Sequence, residues 1–376
     1  MATSKKPVKK KPVNSAGNAS TKKKVPASAK KKAKKKRSRI LLFILEIFVL
    51  LIMVVVLYSV LKIEKVGKVN LPAEEIVINP EVEQKEETVL KGYRNVALFG
   101  VDSTSGALTK NTRSDTIMIA SVNLDTGDCK LVSVYRDTYL NLSNDSYNKC
   151  NAAYAKGGPM QAINMLNMNL DMNITDFITV GFAGLADTID ALGGVMIDVD
   201  EAEINHLNSY QFTMAEDLKR PYKEVTSTGY QQLTGLQATA YCRIRYTAGD
   251  DFKRTERQRE VLMAMADKAK TASAATLNQI ASDVFNEIYT SLDLTEIVEL
   301  LGSVNDYKIV DQAGFPYEEY RTTGTIGSKG SCVIPVDLKE SVEWLHKFLF
   351  DEDYTASSEV QSYSDKIKSD TSPYLK

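Results

Sequence analysis

Charged and polar side chains that suit phosphate chemistry cluster in five places beside the ends of predicted strands and helices. They are Asp102, Arg113 with Asp115, Arg136 with Asp137, Arg243 with Arg245, and Arg254 with Gln258. Arginine forks bind phosphate oxygens through paired hydrogen bonds, and carboxylates recruit Mg²⁺, which neutralises phosphate charge. A surface ion pair is the simpler interpretation of any single arginine. Five clusters in one domain favour a site for an oxyanion-rich ligand, because loops at strand ends of α/β sheets commonly bind ligands.

Short apolar runs predict the elements that position these residues. Residues 96–101, 116–122 and 130–135 are rich in β-branched residues and predict buried strands of one sheet. Further strands are expected at 195–199, 242–246 and 332–335, and helices at 159–170, 184–192, 252–271, 276–290, 294–302 and 337–350. This alternation predicts a layered α/β/α domain with a mixed central sheet over residues 93–350.

Spacing within two of these elements predicts which side chains act together. Arg243 and Arg245 stand at i and i+2, so they project from one face of the predicted strand 242–246. Arg254, Arg257 and Gln258 stand at i, i+3 and i+4, so they share one face of the predicted helix 252–271. The chain has only 2 His among 376 residues, which argues against His-based zinc or triad chemistry.

The amino-terminal part predicts a membrane anchor. Residues 40–61 form an apolar run with Glu46 as its one ionisable side chain, long enough to span a bilayer as a single transmembrane helix. Residues 1–39 are rich in Lys and Arg and contain no acidic residue. The positive-inside rule therefore places the amino terminus in the cytoplasm and everything after the anchor outside the cell. The basic segment is expected to be disordered against anionic membrane lipid.

The remaining segments are polar. Residues 62–92 contain Pro72, Pro80 and a Glu-rich run and predict an extracytoplasmic linker, and residues 351–376 predict a loose polar tail. Beyond the basic segment, acidic residues outnumber basic ones, and the segment itself has no helix-turn-helix pattern. A nucleic-acid partner is therefore not expected.

At the charged clusters the sequence resembles the LytR-CpsA-Psr family of cell-wall glycopolymer transferases. The resemblance is carried, in order, by Gly100–Asp102, Arg113–Thr116, Ser133–Thr138, Lys149–Tyr154, Gly157–Pro159, Asp190–Val195, and Arg243 through Gln258. None of these motifs is specific alone, but their ordered set is. The resemblance implies an extracytoplasmic phosphotransferase that moves a glycopolymer, such as teichoic acid or capsular polysaccharide, from undecaprenyl pyrophosphate onto peptidoglycan N-acetylmuramic acid.

The resemblance also implies roles for individual residues. Asp102 and Asp115 match the residues that bind Mg²⁺, for which Mn²⁺ is an alternative. The residues that match the family's pyrophosphate-binding set are Arg136, Arg243, Arg245, Arg254 and Gln258, with Arg113 and Lys149 expected in the same shell. Asp115 or Asp137 is expected to orient or deprotonate the acceptor hydroxyl, and an ion pair with Arg136 or a turn cap is an equal alternative for Asp137.

Two other functions remain open from sequence. The same site would serve a hydrolase of polyprenyl pyrophosphate if water replaced the sugar hydroxyl, and a non-catalytic envelope regulator is a further alternative.

Cys150 and Cys242 stand where the family usually has other residues. Because each lies beside a basic residue assigned to the anionic site, a disulfide between them is predicted, with four free buried thiols as the alternative.

Overall fold

A computed structural model describes residues 67–69, 71–85, 90–103, 108–109, 111–247 and 249–375. The predicted transmembrane segment 40–61 and the basic segment 1–39 lie outside the described residues. Within the described part, no helix is both long and apolar enough to cross a membrane.

Strands and helices alternate along most of the described chain. The strands are β1 Gly67–Lys68, β2 Tyr93–Val101, β3 Ser114–Asn123, β4 Asp128–Val134, β5 Tyr139–Asn141, β6 Tyr147–Lys149, β7 Asp176–Val180, β8 Val195–Val199, β9 Gly229–Leu233, β10 Ile288–Thr290, β11 Lys308–Phe315, β12 Arg321–Thr325 and β13 Ser331–Pro335. The helices are α1 Pro80–Lys85, α2 Asn151–Leu170, α3 Phe182–Ala191, α4 Glu201–Asp217, α5 Gly235–Tyr241, α6 Asp250–Thr271, α7 Ala274–Val284, α8 Leu294–Gly302, α9 Leu338–Phe350 and α10 Ser358–Thr371.

A mixed central sheet with flanking helices organises the domain. Its strands lie in the order β1-β10-β7-β2-β3-β4-β11 in the described part of the chain. Strand β3 runs antiparallel to β2 and β4, whereas β7 is parallel to β2 and β11 is parallel to β4. The carboxyl ends of β2, β4, β7 and β11 therefore meet the beginning of β3 at one side of the sheet, which we call the site edge.

Burial along the strands and helices explains why the sheet forms. In β2, Ala97, Phe99 and Val101 are at most 1% exposed and alternate with partly exposed residues. Their cluster includes Ile163 of α2 and Leu345 of α9. Each buried aliphatic or aromatic side chain contributes about 1.5–3 kcal/mol relative to an exposed one.

Helix α2 begins earlier than the sequence indicates and contains a kink. The expected start was Pro159, but the helix begins at Asn151 and Gly158 has non-helical dihedral angles, with φ at 67°. A Cβ atom at Gly158 would lie 2.5 Å from the carbonyl oxygen of Thr109, so only glycine fits there. The kink lets one helix begin beside the site edge and continue into the core.

Two segments that the sequence indicates as loose are packed against the domain. In the expected tail, α10 buries Val360 and Ile367 completely. In the expected linker, Asn79 donates hydrogen bonds to the Oδ1 atom of Asp171 at 2.6 Å and to the carbonyl oxygen of Met168 at 2.9 Å. These contacts could not be predicted from the sequence, because each segment buries only a few side chains among many polar ones.

Two element predictions are wrong. Residues 242–246 are not a strand: Cys242 is the carboxyl-terminal cap of α5, and an irregular loop follows it. The predicted helix 276–290 ends at Val284, and residues 288–290 instead form β10, which pairs with β7. Both segments contain β-branched and apolar residues that suit either type of element, so tertiary pairing decides between them.

Candidate functional site

A β-bulge presents Asp115 at the site edge. Gly100 of β2 lies opposite Thr116, whereas the next residue, Val101, lies opposite Ser114, so Asp115 is the extra residue of β3. Bulges redirect side chains and occur frequently beside active sites. Asp102 follows β2 directly at the same edge.

Asp115 binds three arginines that come from two distant parts of the chain. Its Oδ1 accepts a hydrogen bond from Nη1 of Arg136 at 2.8 Å. Its Oδ2 accepts from Nη2 of Arg245 at 3.2 Å and from Nη2 of Arg254 at 3.1 Å. The structure therefore brings together three of the arginines that the sequence assigns to an anionic ligand.

Asp251 is a second carboxylate in this network, and it is not among the site residues predicted from the sequence. It accepts a hydrogen bond from Nε of Arg136 at 3.2 Å and lies 3.6 Å from Nη1 of Arg254 and 3.7 Å from Nε of Arg245. The available signal was its position three residues before Arg254 on the same helix, the i, i+3 spacing that brings side chains together.

The arginines keep both carboxylates ionised. Burial raises the pKa of Asp115, but the charges of Arg254, Arg136 and Arg245 outweigh burial and hold it below its usual value. The pKa of Asp251 is lowered in the same way, because the same arginines outweigh its burial. Both groups are therefore acceptors of hydrogen bonds at neutral pH and weak acceptors of a proton.

Arg254 has binding capacity that the protein does not use. The residue is 4% exposed, and its Nε and Nη1 atoms form no hydrogen bond within the described part of the structure. A buried guanidinium with unused N–H groups is costly unless a ligand accepts from them. These N–H groups lie beside two further arginines that already bind carboxylates, and an anionic ligand could accept hydrogen bonds from them.

Lys149 and Asp137 extend the network along the site edge. Nζ of Lys149 lies 3.1 Å from Oδ1 of Asp137, whose Oδ2 is 3.8 Å from Nε of Arg136. The predicted ion pair between Asp137 and Arg136 is thus present but long, and Lys149 is the closer partner of Asp137. Both residues belong to the same cluster as the arginines, as the sequence analysis expected.

Arg243 is held differently from the other arginines. Its guanidinium carbon lies 4.5 Å from the ring centre of Phe182 and 5.3 Å from that of Tyr210. Phe182 directly follows β7 and Gly181, so Arg243 stands at the β7 end of the site edge. The expectation that Arg243 and Arg245 project from one strand face is wrong, because their segment is a loop in which Arg245 contacts Asp115 and Arg243 contacts aromatic rings.

The shared helix face predicted for Arg254, Arg257 and Gln258 is only partly correct. Arg257 turns away from Asp115 and forms an almost fully buried ion pair with Glu203 at 2.7 Å. Gln258 is 8% exposed, and its Nε2 donates to the carbonyl oxygen of Cys242 at 3.4 Å while its Oε1 has no partner among the described residues. Gln258 therefore supports the loop that carries the arginines.

The two residues assigned to metal binding differ in their surroundings. Asp102 is exposed, and both carboxylate oxygens of Asp115 already accept hydrogen bonds from arginines. Within the described residues, no group of three or more His, Cys, Asp or Glu side chains is arranged to hold a metal. Mg²⁺ commonly binds one or two carboxylates plus phosphate oxygens, so this pair suits Mg²⁺ only with a phosphate ligand. Arg113 is exposed beside them.

The predicted disulfide between Cys150 and Cys242 is absent. All four cysteines are free and buried. The thiol of Cys150 donates to the carbonyl oxygen of Tyr135 at 3.2 Å within the main core, whereas Cys242 belongs to a separate apolar cluster with Tyr241 and Ile244. The basic neighbours of both cysteines line one site, but the thiols point into two different cores.

The fold and these contacts define a class of α/β domain that gathers arginines along one sheet edge around partly buried carboxylates. The sequence profile of the LytR_cpsA_psr family matches residues 62–333. The chain belongs to this family.

Several curated relatives align with part of this chain. The polyisoprenyl-teichoic acid–peptidoglycan teichoic acid transferase TagV of Bacillus subtilis is 30% identical over 49% of this chain and 46% of its own length. TagU of Oceanobacillus iheyensis, which carries the same transferase name, is 30% identical over 55% of this chain and 61% of its own length. Biofilm regulatory protein A of Streptococcus mutans is 29% identical over 55% of this chain and 52% of its own length. The chain thus spans between 46% and 61% of the length of these relatives.

Solved structures show the same fold. TagT bound to LIIa-WTA aligns with a TM-score of 0.55 at 24% identity, covering 69% of this chain and 91% of that chain. The family protein YwtF (TagT) with bound octaprenyl pyrophosphate lipid aligns with a TM-score of 0.52 at 23% identity, covering 70% and 92%.

Proposed function

We propose that the protein is a phosphotransferase that moves a glycopolymer of the teichoic acid or capsular polysaccharide type from undecaprenyl pyrophosphate onto peptidoglycan N-acetylmuramic acid. Family membership and the transferase names of TagV and TagU support the reaction class. The octaprenyl pyrophosphate in the YwtF structure supports the chemistry of the donor.

The unused N–H groups of Arg254 are the observation that carries the proposal. They lie at the meeting point of Asp115, Asp251 and two further arginines. A pyrophosphate presents several oxygens at spacings that resemble those of two adjacent carboxylates. It therefore fits the position between Arg136, Arg245 and Arg254. There its phosphate oxygens would accept hydrogen bonds from the Nε and Nη1 groups of Arg254, which form none with the carboxylates.

The proposed reaction is a phosphoryl transfer in which these arginines stabilise negative charge. The acceptor hydroxyl oxygen forms a bond to the phosphorus nearest the glycopolymer, and the bond from that phosphorus to the bridging oxygen breaks. Undecaprenyl phosphate leaves with the bonding electrons. Arg136, Arg245 and Arg254 stabilise the negative charge on the phosphoryl and leaving oxygens, which is the main protein contribution to phosphoryl transfer.

Asp137 is the better candidate of the two carboxylates expected to handle the acceptor proton. Asp115 accepts from three arginines, which depress its pKa and leave it a poor base. Asp137 has its closest partner in Lys149 at 3.1 Å, and its side chain is 20% exposed at the edge of the cluster. It is thus placed to accept a hydrogen bond from an incoming hydroxyl and to take its proton as the new bond to phosphorus forms.

A divalent ion, Mg²⁺ or Mn²⁺, completes the proposed site. Asp102 and Asp115 would hold it together with pyrophosphate oxygens, and the ion would supply charge neutralisation. Arg113 and Lys149 supply further positive charge beside the donor.

The proposed setting is the outer face of the cell membrane. A transmembrane helix at residues 40–61 would anchor the chain, with the basic amino terminus in the cytoplasm and the domain outside. Such an anchor would keep the domain next to membrane lipid and to a lipid-linked donor.

A reconstituted reaction tests the function. Full-length protein in detergent or vesicles is mixed with a synthetic pyrophosphate-linked donor, a peptidoglycan oligomer and Mg²⁺, and the products are separated by mass. Polymer joined to peptidoglycan supports the transferase. Release of free polymer phosphate alone supports the hydrolase, and the absence of either product overturns both.

A matched pair of variants shows whether the reaction belongs to this site. Arg254→Met should reduce turnover by at least about tenfold, because a charged hydrogen bond is worth roughly 1.5–3 kcal/mol. Arg94→Met removes an arginine that pairs with Asp176 at 2.9 Å. Arg94 lies near the opposite end of β2, so this control should leave turnover within about twofold of the wild type.

A further inference from the structure

Two aromatic residues flank an ion pair at the centre of the site. Nε of Arg136 donates to Asp251 at 3.2 Å. Tyr135 immediately precedes Arg136, and Phe252 immediately follows Asp251. The rings of Tyr135 and Phe252 meet edge to face, with centres 4.7 Å apart and planes at 86°. The end of β4 and the first turn of α6 are therefore joined twice, by the ion pair and by the ring pair.

Arg321 covers this ring pair. Its guanidinium carbon lies 4.1 Å from the ring centre of Phe252 and 4.9 Å from that of Tyr135. Its Nη1 donates to the hydroxyl of Tyr135 at 3.1 Å and to the carbonyl oxygen of Pro316 at 3.2 Å. Arg321 begins β12, so a third part of the chain joins the two segments that carry Arg136 and Asp251.

The backbone of β11 leaves space for the ring of Tyr135. The amide nitrogen of Tyr135 donates to the carbonyl oxygen of Phe315 at 3.0 Å. A Cβ atom at Gly314 would lie 1.9 Å from the Tyr135 hydroxyl, so the ring occupies space that only glycine leaves free. The phenol is thereby fixed over β11, within reach of Arg321.

The next turn of α6 has its own anchor. Nε of Arg259 donates to Gln312 at 2.8 Å, and its Nη1 donates to Ser133 at 2.8 Å. The first turn, which carries Asp251 and Arg254, is held at the sheet by the ion pairs of these two residues with Arg136 and Asp115 and by the contact of Phe252 with Tyr135. Arg321 contacts Phe252 of this turn and Tyr135 of the sheet, so its contacts add to the hydrogen bond between Arg136 and Asp251.

We propose that Arg321 is a positioning residue for the transfer reaction, which holds the first turn of α6 so that Asp251 and Arg254 face Arg136 in reactive geometry. This inference rests on the proposed function. Arg321 acts through Tyr135 and Phe252 and has no assigned contact with the substrate. A displacement of about 1 Å at a reacting group can cost about a hundredfold in rate, so a contact outside the site can control turnover.

A split between kcat and KM tests the inference in the reconstituted reaction. Arg321→Met keeps an unbranched side chain but removes the charge and the hydrogen bonds. We expect kcat to fall by about tenfold while KM for the donor stays within about threefold, because the groups that bind the donor remain present. Arg321→Lys restores a cation above the rings and should recover kcat to within about threefold of the wild type. Arg94→Met is the control and should change neither constant.

Hydrogen exchange provides a readout that does not depend on activity. In Arg321→Met, amides of residues 251–258 should exchange about tenfold faster than in the wild type, whereas those of α9 should be unchanged. If Arg321→Met does not fold, Phe252→Leu is used, because it keeps an apolar side chain while removing the ring face beneath the guanidinium.

The two readouts separate failure of this inference from failure of the proposed function. Unchanged exchange in residues 251–258 overturns the positioning role whatever the activity. Faster exchange with unchanged kcat, or with kcat lost and no recovery in Arg321→Lys, also overturns it. If the wild type transfers no polymer, the proposed function fails, and the exchange data still decide whether Arg321 holds the first turn of α6.

Discussion

Arg257 donates a hydrogen bond to Glu203 at 2.7 Å, and both side chains are at most 3% exposed. The other two nitrogens of Arg257 donate to the carbonyl oxygen of Ile244 at 3.2 Å and to the hydroxyl of Thr247 at 2.6 Å. Arg257 therefore holds the loop that carries Arg245 through Ile244 and Thr247, which flank Arg245. Arg254, one turn earlier on α6, faces Asp115.

Glu203→Gln should destabilise the protein by about 3–5 kcal/mol, because it leaves the buried Arg257 without its counter-charge. Urea denaturation followed by circular dichroism measures this change. The control is Glu256→Gln, also a partner of an α6 residue, since Glu256 lies in an exposed pair with Lys253 at 3.1 Å. It should cost no more than about 0.5 kcal/mol. Equal effects of the two variants would contradict the structural importance of the buried pair.

Asp115→Asn should strengthen binding of inorganic pyrophosphate in the presence of a chelator by about tenfold, because it removes a carboxylate that occupies three arginines. Added Mg²⁺ should then no longer increase the affinity. Isothermal titration calorimetry measures both effects.

Asp102→Asn is the matched control for the pyrophosphate experiment. Because Asp102 is exposed and pairs with none of the three arginines that bind Asp115, its metal-free affinity should stay within about twofold of the wild type. The effect of Mg²⁺ should nevertheless be smaller. If Asp115→Asn instead weakens metal-free binding, Asp115 organises the arginines and does not compete with the ligand.

The raised pKa of Glu287 predicts that the stability of the protein depends on pH. Burial, a hydrogen bond that its protonated carboxyl donates to the neighbouring Asp187, and the negative charge of Asp187 raise its pKa to about 7, although Arg220 opposes the shift. The folded state therefore binds this proton more tightly than the unfolded chain, and the stabilisation it provides is lost as pH rises from about 4.5 to about 7.

Glu287→Gln should match the wild type at pH 5 and melt about 2–4 °C higher at pH 8, because a neutral amide avoids the buried charge. Thermal denaturation at the two pH values measures this difference. Glu216→Gln, at an exposed position on α4, should show the same small difference from the wild type at both pH values. A pH-independent effect of Glu287→Gln would argue against titration of Glu287.

All four cysteines should be alkylated under denaturing, non-reducing conditions and should resist alkylation in the folded protein. Burial raises the pKa of Cys242 to about 12 and that of Cys129 to about 11, so little reactive thiolate forms at neutral pH. Intact-mass spectrometry counts the modified thiols. Recovery of only two alkylated thiols after denaturation would show that a disulfide forms in the isolated protein.

The sequence by itself determined the elements with strong local signals. The runs that form β2, β3 and β4 alternate or concentrate apolar residues, and the charged residues beside them follow directly along the chain. For this reason Asp115 and Arg136 could be assigned to one site before their contact at 2.8 Å was known. Helix α8 was predicted with its observed bounds, because its apolar spacing is regular.

Only the tertiary structure decided which way several side chains face. Arg257 shares a helical spacing with Arg254, yet Glu203 on another helix draws it to the opposite side. Arg243 and Arg245 diverge because α5 ends at Tyr241 and its carboxyl-terminal cap passes into a loop. Arg321 reaches the site from β12 through contacts with Tyr135 and Phe252. Local spacing gives the order of residues along an element, but the direction of a buried polar side chain depends on partners distant in sequence, because each buried charge needs a counter-charge or an aromatic face.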